Sequence, residues 1–316
     1  MNKKLKPDWA GEDMLSQFVN LLIQTKPIYK VMKHQARQVI IKTAEKNGVP
    51  WRKNYEKLAA SPVQHHFDAV TNPQVTYPDY YKVPFHAYSE GNLCWKAALE
   101  APSATYSMAL RVWKNEPLTW QAAHDRLRGS FHNVLGLYAP QKVEDILDVG
   151  CSVGISTLAL HRYYQNKQNH PVRTVGLDLS PYMLAVAKIL DINNEISQWL
   201  HAQAENTGLA DKSFDLVTLQ FLTHELPSEA SKAIFRETYR LLRPGGAIAI
   251  VDNNPKSAVI QNLPPVLFTL MKSTEPWSDE YYTFNIEAVL EDIGFEAALT
   301  VESDPRHRTI VAKKPL

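Results

Sequence analysis

Apolar positions along the chain change their period near residue 139. Before it they recur at helical spacing. Leu15, Phe18, Val19, Leu22 and Ile23 make one stripe, and Tyr29, Met32, Ala36, Val39, Ile40 and Thr43 a second, with Pro27 at the break, so Asp13 to Lys46 reads as two helices. A further helix is expected from Leu93 to Trp113, with Pro102 as a point of interruption, and another from Thr119 to Tyr138, burying Trp120, Ala123, Leu127, Phe131, Val134 and Leu135. After residue 139 short apolar runs alternate with helical ones. Strands are predicted at 143–149, 173–179, 198–203, 214–221 and 246–252, and helices at 154–165, 181–193 and 228–242. A proline-punctuated helical segment follows Asn253, then a last helix from Asn285 to Ile293 stopped by Gly294, then a closing strand pair, Phe295 to Val301 and Arg308 to Ala312. This rhythm predicts an α/β fold, a doubly wound and mostly parallel sheet with an N-terminal α-helical cap. The expected division is 1–138 for the cap, which would act as a lid over substrate, and 139–316 for the core.

The stretch V-E-D-I-L-D-V-G-C-S-V-G, Val143 to Gly154, organises the core. A buried strand runs into a glycine turn and then a helix, a unit whose bare backbone lets a ligand approach closely. The pattern is D-x-G-x-x-x-G, from Asp148, Gly150 and Gly154, and lacks the middle glycine of the dinucleotide signature G-x-G-x-x-G. With an acid at the strand end, the turn suits a ligand that has no phosphate and a cationic end. The next strand ends in G-L-D-L-S, which places Asp178 where a carboxylate accepts from both hydroxyls of a ribose. Asp148, Asp178, Gln203 and Gln220 all fall at or near strand carboxyl ends, where ligands sit in such sheets.

Four segments in order, I-L-D-V-G-C-S-V-G, V-G-L-D-L-S, A-E-N-T-G-L-A-D-K-S-F-D-L-V and L-L-R-P-G-G, resemble the successive motifs of class I S-adenosylmethionine-dependent methyltransferases, with wording closest to the ubiquinone and menaquinone branch. The resemblance covers roughly Val143 to Asp252. It implies a Rossmann-like core, S-adenosylmethionine as cofactor and S-adenosylhomocysteine as product. The implied cofactor residues are Asp148, Gly150, Cys151, Gly154, Asp178, Leu179, Gln203, Ala204 and Gln220. Asp148 and Gly150 would hold the methionine end through carboxylate and backbone, with Gln220 facing the same group. Many relatives place Asp-Ala where this chain has Gln203-Ala204, so a neutral amide replaces the acid that accepts from the adenine amino group.

His224, in Q-F-L-T-H-E-L-P after the fourth strand, is the candidate catalytic base, since an unperturbed imidazole titrates near neutrality. The alternative is a structural histidine ahead of the next helix. His86 and the Arg306-His307-Arg308 cluster are runners-up, the cluster otherwise being a solvated turn. The aromatic stretch from Tyr77 to Trp95 reads as an ordered loop, and Tyr77, Tyr81, Phe85, His86 and Tyr88 are candidates for a lid or substrate wall; otherwise they fasten the cap to the core. His65-His66 lacks companion ligands, so no metal is expected.

Composition narrows the classes. The chain has 316 residues, a formal charge of +1 and 45% hydrophobic residues, long enough for one catalytic core plus a helical addition. The near-neutral balance argues against nucleic-acid binding. No apolar run reaches membrane-spanning length, and no signal-peptide core opens the chain, so a soluble cytoplasmic protein is expected. Lysines and arginines outnumber acids before residue 47; a helical hairpin with a solvated basic face is the favoured reading over a membrane-surface or partner-docking segment. Cys94 and Cys151 make no disulfide framework. The expectation is methyl transfer to a hydroxyl of a small organic molecule of natural-product type, free or carrier-tethered. The rivals are carbon methylation of a quinone-type ring and a cofactor-binding scaffold without catalysis.

Overall fold

The structure is a computed structural model that describes residues 26–86, 88–264 and 274–316. The stripe from Leu15 to Ile23 lies outside the described residues. The helical run after it is present as α1 (Lys26–Lys46). Ile41 and Ala44 of α1 are buried with Val49 and Trp51 against Tyr106, Leu110 and Trp120. Val39 and Ile40 face solvent. Short helices α2 (Trp51–Ala59) and α3 (Val63–Val70) lead to the aromatic loop. Then come α4 (Trp95–Val112) and α5 (Trp120–Tyr138). Pro102 is buried inside α4 and does not interrupt it. Thr119 caps α5 by accepting from the Ala122 N–H.

The core follows the alternation read from the sequence. β1 (Asp145–Val149), α6 (Ile155–Lys167), β2 (Arg173–Asp178), α7 (Pro181–Leu190) and β3 (Gln198–His201) form one half. β4 (Phe214–Gln220), α8 (Ser228–Leu241) and β5 (Leu242–Asn253) begin the other. After α9 (Ala258–Gln261), α10 (Ser278–Thr283) and α11 (Ile286–Ile293), the chain closes with β6 (Leu299–Glu302) and β7 (His307–Lys313). Phe295, expected to open the closing strand pair, instead packs before β6. The seven strands lie in the order β3-β2-β1-β4-β5-β7-β6. β1 to β5 are parallel, and β7 runs antiparallel to both β5 and β6. The order reverses between β1 and β4, so the crevice above their carboxyl ends is where this architecture binds ligands.

Alternation along the strands sorts side chains to two faces. Ile146, Leu216, Ala247, Ala249 and Val251 pack with Phe131, Val134 and Leu135 of α5 and Leu160 and Tyr164 of α6. Leu147, Val149, Val217, Leu219, Ile248 and Ile250 pack with Ile234 and Phe235 of α8 and Ile286 and Leu290 of α11. Asp148, Thr218 and Gln220 share the pleat of Ile146 and Leu216, so these polar groups are enclosed on the α5 side.

Gly154, at the start of α6, has φ +75°. A Cβ there would overlap the indole of Trp199 and come within 3.1 Å of the Ala187 Cβ. Gly154→Ala is therefore expected to cost about 2–5 kcal/mol, strain and overpacking together, read as a lower urea midpoint with an unchanged slope.

Candidate functional site

The turn after β1 is built from positive-φ backbone: Gly150 at +69°, Ser152 at +48° and Gly154 at +75°. The Cys151 N–H donates to the Leu177 carbonyl at 2.9 Å, which ties the turn to β2. Gly150 at φ +69° holds a conformation that side chains rarely adopt, and a Cβ there would lie 2.7 Å from the end of the Leu222 side chain. Asp178, at the end of β2, accepts from the Ser152 N–H at 2.7 Å and the Ser180 N–H at 2.8 Å. Burial pushes its carboxyl up to about 6, against the opposing pull of those N–H groups. Each carboxylate oxygen keeps a further acceptor direction. Cys151 is buried beneath the turn, and burial raises its thiol. Leu179 is buried, and its carbonyl sits 3.1 Å from His201 Nε2.

Asp148 differs from the expectation drawn from the motifs. It is 1% exposed, and its oxygens are taken by Thr157 Oγ1 at 2.6 Å, Thr218 Oγ1 at 2.6 Å and Gln220 Nε2 at 3.2 Å. Its carboxylate orders the ends of β1, β4 and α6 from beneath and is not left open to a ligand. The free acceptor at this place is Gln220 Oε1, buried without a hydrogen-bond partner. Gln203 donates its amide N–H to the Thr76 carbonyl, which turns its oxygen free to accept. Ala204 is half-buried beside it against the core.

The aromatic loop folds over the carboxyl ends of β2 and β3. Tyr77 Oη lies 3.3 Å from His201 Nε2, and its ring stacks on Tyr81 with centroids 6.3 Å apart. Tyr80 donates to Glu205 Oε1 at 2.5 Å. Tyr80, Tyr81, Val83, Phe85, Leu222 and Glu225 are among the residues that line a small, partly open cleft. His86 adopts φ +47° and donates its backbone N–H to the Thr274 carbonyl at 3.0 Å. Its Nε2 lies 3.6 Å from Glu225 and 3.9 Å from Glu275. Tyr88 turns away, donating at 2.6 Å to the buried Glu100, which Arg37 also pairs. Of the five aromatic-loop candidates, the structure brings Tyr81 and Phe85 to the cleft, Tyr77 and His86 to its edges, and Tyr88 into the helical packing.

His224 stands on the turn after β4, 8% exposed, with Nδ1 2.7 Å from Asp252 Oδ1, though without the alignment of a straight hydrogen bond. The Asp252 carboxylate also accepts from Thr223 Oγ1 at 2.6 Å and the His224 N–H at 3.1 Å. Burial alone would discharge the imidazole, but the Asp252 charge outweighs it and lifts His224 to about 10. The ring is thus an imidazolium at neutral pH, not the neutral base its ordinary range implied. Glu225 goes the other way: burial, with Glu275, Asp252 and Asp178 near, pushes its carboxyl up to about 8 despite the His224 charge. Two neighbours in the chain are thereby both held protonated at neutral pH, one as a cation and the other neutral.

The Arg306-His307-Arg308 cluster is not a solvated turn. His307 and Arg308 are buried at the start of β7, His307 pairing Asp304 at 2.9 Å and Arg308 pairing Glu287 at 2.9 Å, while Arg306 Nε donates to Asn253 Oδ1 at 3.0 Å. These partners hold β7 to β5 and α11. His65 and His66 stand with ring centroids 5.5 Å apart, and no group among the described residues has the makings of a metal site. Sequence reasoning missed Asp252, Glu225 and Glu275. Asp252 had a signal, an acid at the carboxyl end of β5, and Glu225 had its place beside His224. Glu275 had none, because only the fold brings it beside His86.

The crevice residues fit S-adenosylmethionine on their own geometry: a strand-end carboxylate for a diol, an amide at Gln203 whose N–H is already used, a buried unpartnered acceptor at Gln220 and a positive-φ glycine turn at Gly150. Comparison with known proteins agrees. Residues 147–250 match the family model described as a methyltransferase domain. A demethylmenaquinone methyltransferase of Staphylococcus epidermidis is 32% identical over 122 residues, covering 39% of this chain and 48% of its own. An uncharacterized methyltransferase of Synechocystis is 28% identical over 153 residues, covering 48% of this chain and 66% of its own. The chain thus spans about half the length of the Staphylococcus relative. A crystal structure from Nostoc punctiforme, of a protein whose name proposes an O-methyltransferase, superposes with a TM-score of 0.52 at 17% identity over 83% of this chain and 72% of that one, a likeness of fold.

Proposed function

We propose that the protein, whose residues 147–250 match a methyltransferase domain, is a class I S-adenosylmethionine-dependent methyltransferase that transfers a methyl group to a hydroxyl of a small organic molecule of natural-product type, free or carrier-tethered. The observation that carries this reading is the buried His224–Asp252 pair at 2.7 Å beside the aromatic cleft. Bound S-adenosylmethionine supplies an electrophilic methyl on a sulfonium, and S-adenosylhomocysteine is the product. Asp178 would take the ribose, Gln203 the adenine edge, and the Gly150 turn and Gln220 the methionine end. The residues before 139 serve as a cap, with Tyr80, Tyr81 and Phe85 excluding water and offering ring faces to the positive charge.

The chain's own chemistry is then proton handling. No described residue hydrogen-bonds to His224 Nε2, so the imidazolium has an N–H to offer a substrate oxygen as that oxygen gains negative charge. Glu225 on the cleft wall is the group poised to take the hydroxyl proton, because its range brackets neutral pH. Turnover is expected to rise as pH passes about 8 and Glu225 ionises, and to fall as pH passes about 10 and His224 loses its proton. Initial rates from pH 6 to 11 at saturating cofactor check this. A profile that falls across pH 7–9 sinks the assignment.

The second reading is carbon methylation of a quinone-type ring, favoured by the 32% identity to the Staphylococcus relative. The same imidazolium would there hold a ring oxygen as its anion while the adjacent carbon attacks. A mass screen of phenols, aliphatic and polyketide alcohols, quinols, amines and acids with S-adenosylmethionine separates the readings. Methylation on oxygen supports the proposal, and methylation on ring carbon replaces it. No cofactor binding at all would leave a scaffold.

A further inference from the structure

The segment that joins α3 to the aromatic loop is fastened to the sheet by one buried imidazole. His201 ends β3 and is 2% exposed. Its Nδ1 lies 3.0 Å from the Asn72 backbone nitrogen, and its Nε2 lies 3.1 Å from the Leu179 carbonyl and 3.3 Å from Tyr77 Oη. A backbone N–H can only donate and a carbonyl can only accept. These partners fix one form of the ring, with Nδ1 bare and the single proton on Nε2. A second proton would have to go on Nδ1, where it would meet the Asn72 N–H head on, two donors with no acceptor between them. Burial acts in the same direction and holds His201 below its ordinary range. The titratable groups around it do not offset this. They are Tyr77, Tyr182 of α7, which acts on Tyr77, and Asp178, the register partner of His201 in the β2–β3 ladder. His66, on the helix that runs into the loop, is itself lowered by burial, His65 and Lys188.

The joint lies where the loop passes the strand ends that carry Asp178 and Gln203. Leu179 directly follows Asp178, and Gln203, just past His201, donates to the Thr76 carbonyl. Asn72, Thr76 and Tyr77 are thus all bonded to the end of β3, and Tyr81 stacks on Tyr77. We propose that His201 is a positioning residue and a pH-sensitive latch, which holds residues 71–81 against the nucleoside end of the site while neutral and releases them on gaining a second proton. Loop and proton compete for the same nitrogen. In the open loop the imidazole regains its ordinary titration, so the closed form is favoured fully above about pH 6.5 and loses ground as pH falls below it. Release also takes from the Gln203 amide the carbonyl that orients it. The latch is a property of the unliganded fold, and only its consequence for the cofactor rests on the function proposed above.

The test is hydrogen exchange at the Asn72 amide and through residues 71–81 in unliganded, full-length wild type and His201→Asn. Each is measured at pH 7.5 and pH 5.0 and corrected for intrinsic exchange. Asparagine keeps an acceptor close to the place of Nδ1 but takes up no proton. Wild-type protection is expected to fall at least about tenfold between the two pH values, while that of His201→Asn stays level. Asp178 titrates in both proteins, so a fall shared by both, or no fall in wild type, overturns the latch. If His201→Asn does not fold by circular dichroism, the nitrogen-15 imidazole shifts of wild type decide. A bare Nδ1 and a protonated Nε2 at pH 7.5, titrating below the ordinary range, uphold the proposal. The opposite tautomer, or titration at or above that range, overturns it. Calorimetry of wild type with S-adenosylhomocysteine at pH 7.5 tests the cofactor reading separately: no binding strikes that reading, and the exchange comparison still decides the latch.

Discussion

Asp252→Ala is expected to lower stability by about 3–5 kcal/mol and to abolish most turnover. Asp252 is 1% exposed, and four groups converge on it: the His224 ring at 2.7 Å, Thr223 Oγ1 at 2.6 Å, the Asn253 N–H at 2.7 Å and the His224 N–H at 3.1 Å. Truncation leaves the hydroxyl and both N–H groups unsatisfied and the imidazolium unpaired in a buried place. Burial then drives the ring to shed its proton, so its titration should move from about 10 to below its ordinary range. Asp252→Asn is the diagnostic variant. It restores an acceptor of the same shape without the charge, so folding should largely recover while the histidine still titrates low and turnover stays low. Histidine proton resonances followed over pH 5–11, beside urea unfolding, check both halves. A His224 titration unmoved in either variant would show that Asp252 does not set its charge.

Asp178→Ala has the second largest expected effect, and it is twofold. The carboxylate ties the glycine turn to α7 through the Ser152 and Ser180 N–H groups at 2.7 and 2.8 Å. Stranding those donors should cost about 2–4 kcal/mol. The same oxygens are the strand-end acceptors placed for a ribose, so S-adenosylhomocysteine affinity should fall by tens of fold. The wild type has a matching pH signature. Because burial lifts this carboxyl to about 6, its acceptor strength is complete above that pH and fades as pH falls through it. Affinity should therefore decline from pH 7 to pH 5. A calorimetric affinity that is flat over this range, or unchanged in the variant, would remove Asp178 from the ribose.

Most of the fold is legible in the order of the residues alone. The strands at 145–149, 173–178 and 214–220 and the helices at 155–167, 181–190 and 228–241 depart from their predicted bounds by one to three residues. Their period, their glycine and proline punctuation and their β-branched content all point one way. The glycine turn is legible for the same reason, since φ of +69° and +75° at Gly150 and Gly154 is a local demand with a local residue signature. Pro102 misleads, because a proline read in isolation signals a break, whereas the burial of Ala97, Ala98, Leu99 and Ser103 around it holds α4 continuous. The Arg306-His307-Arg308 cluster misleads likewise: charge suggests solvent, but besides the local partner Asp304, Glu287 and Asn253 meet it from 21 and 53 residues away.

By itself the sequence determined the class of molecule: an alternating α/β core, a glycine turn without the dinucleotide pattern, acids at strand ends, and motifs that imply a methyl donor. These are properties of short segments, set by backbone sterics and by period, and they survive without knowledge of neighbours. Only the tertiary structure decided what the titratable residues are. It made His224 a cation by setting Asp252 against it, held Glu225 mostly protonated at neutral pH by enclosing it with Glu275, and turned Asp148 inward to bond Thr157, Thr218 and Gln220. Charge state depends on burial and on partners within a few ångströms, and folding brings those partners together from 28, 50 and 70 residues away.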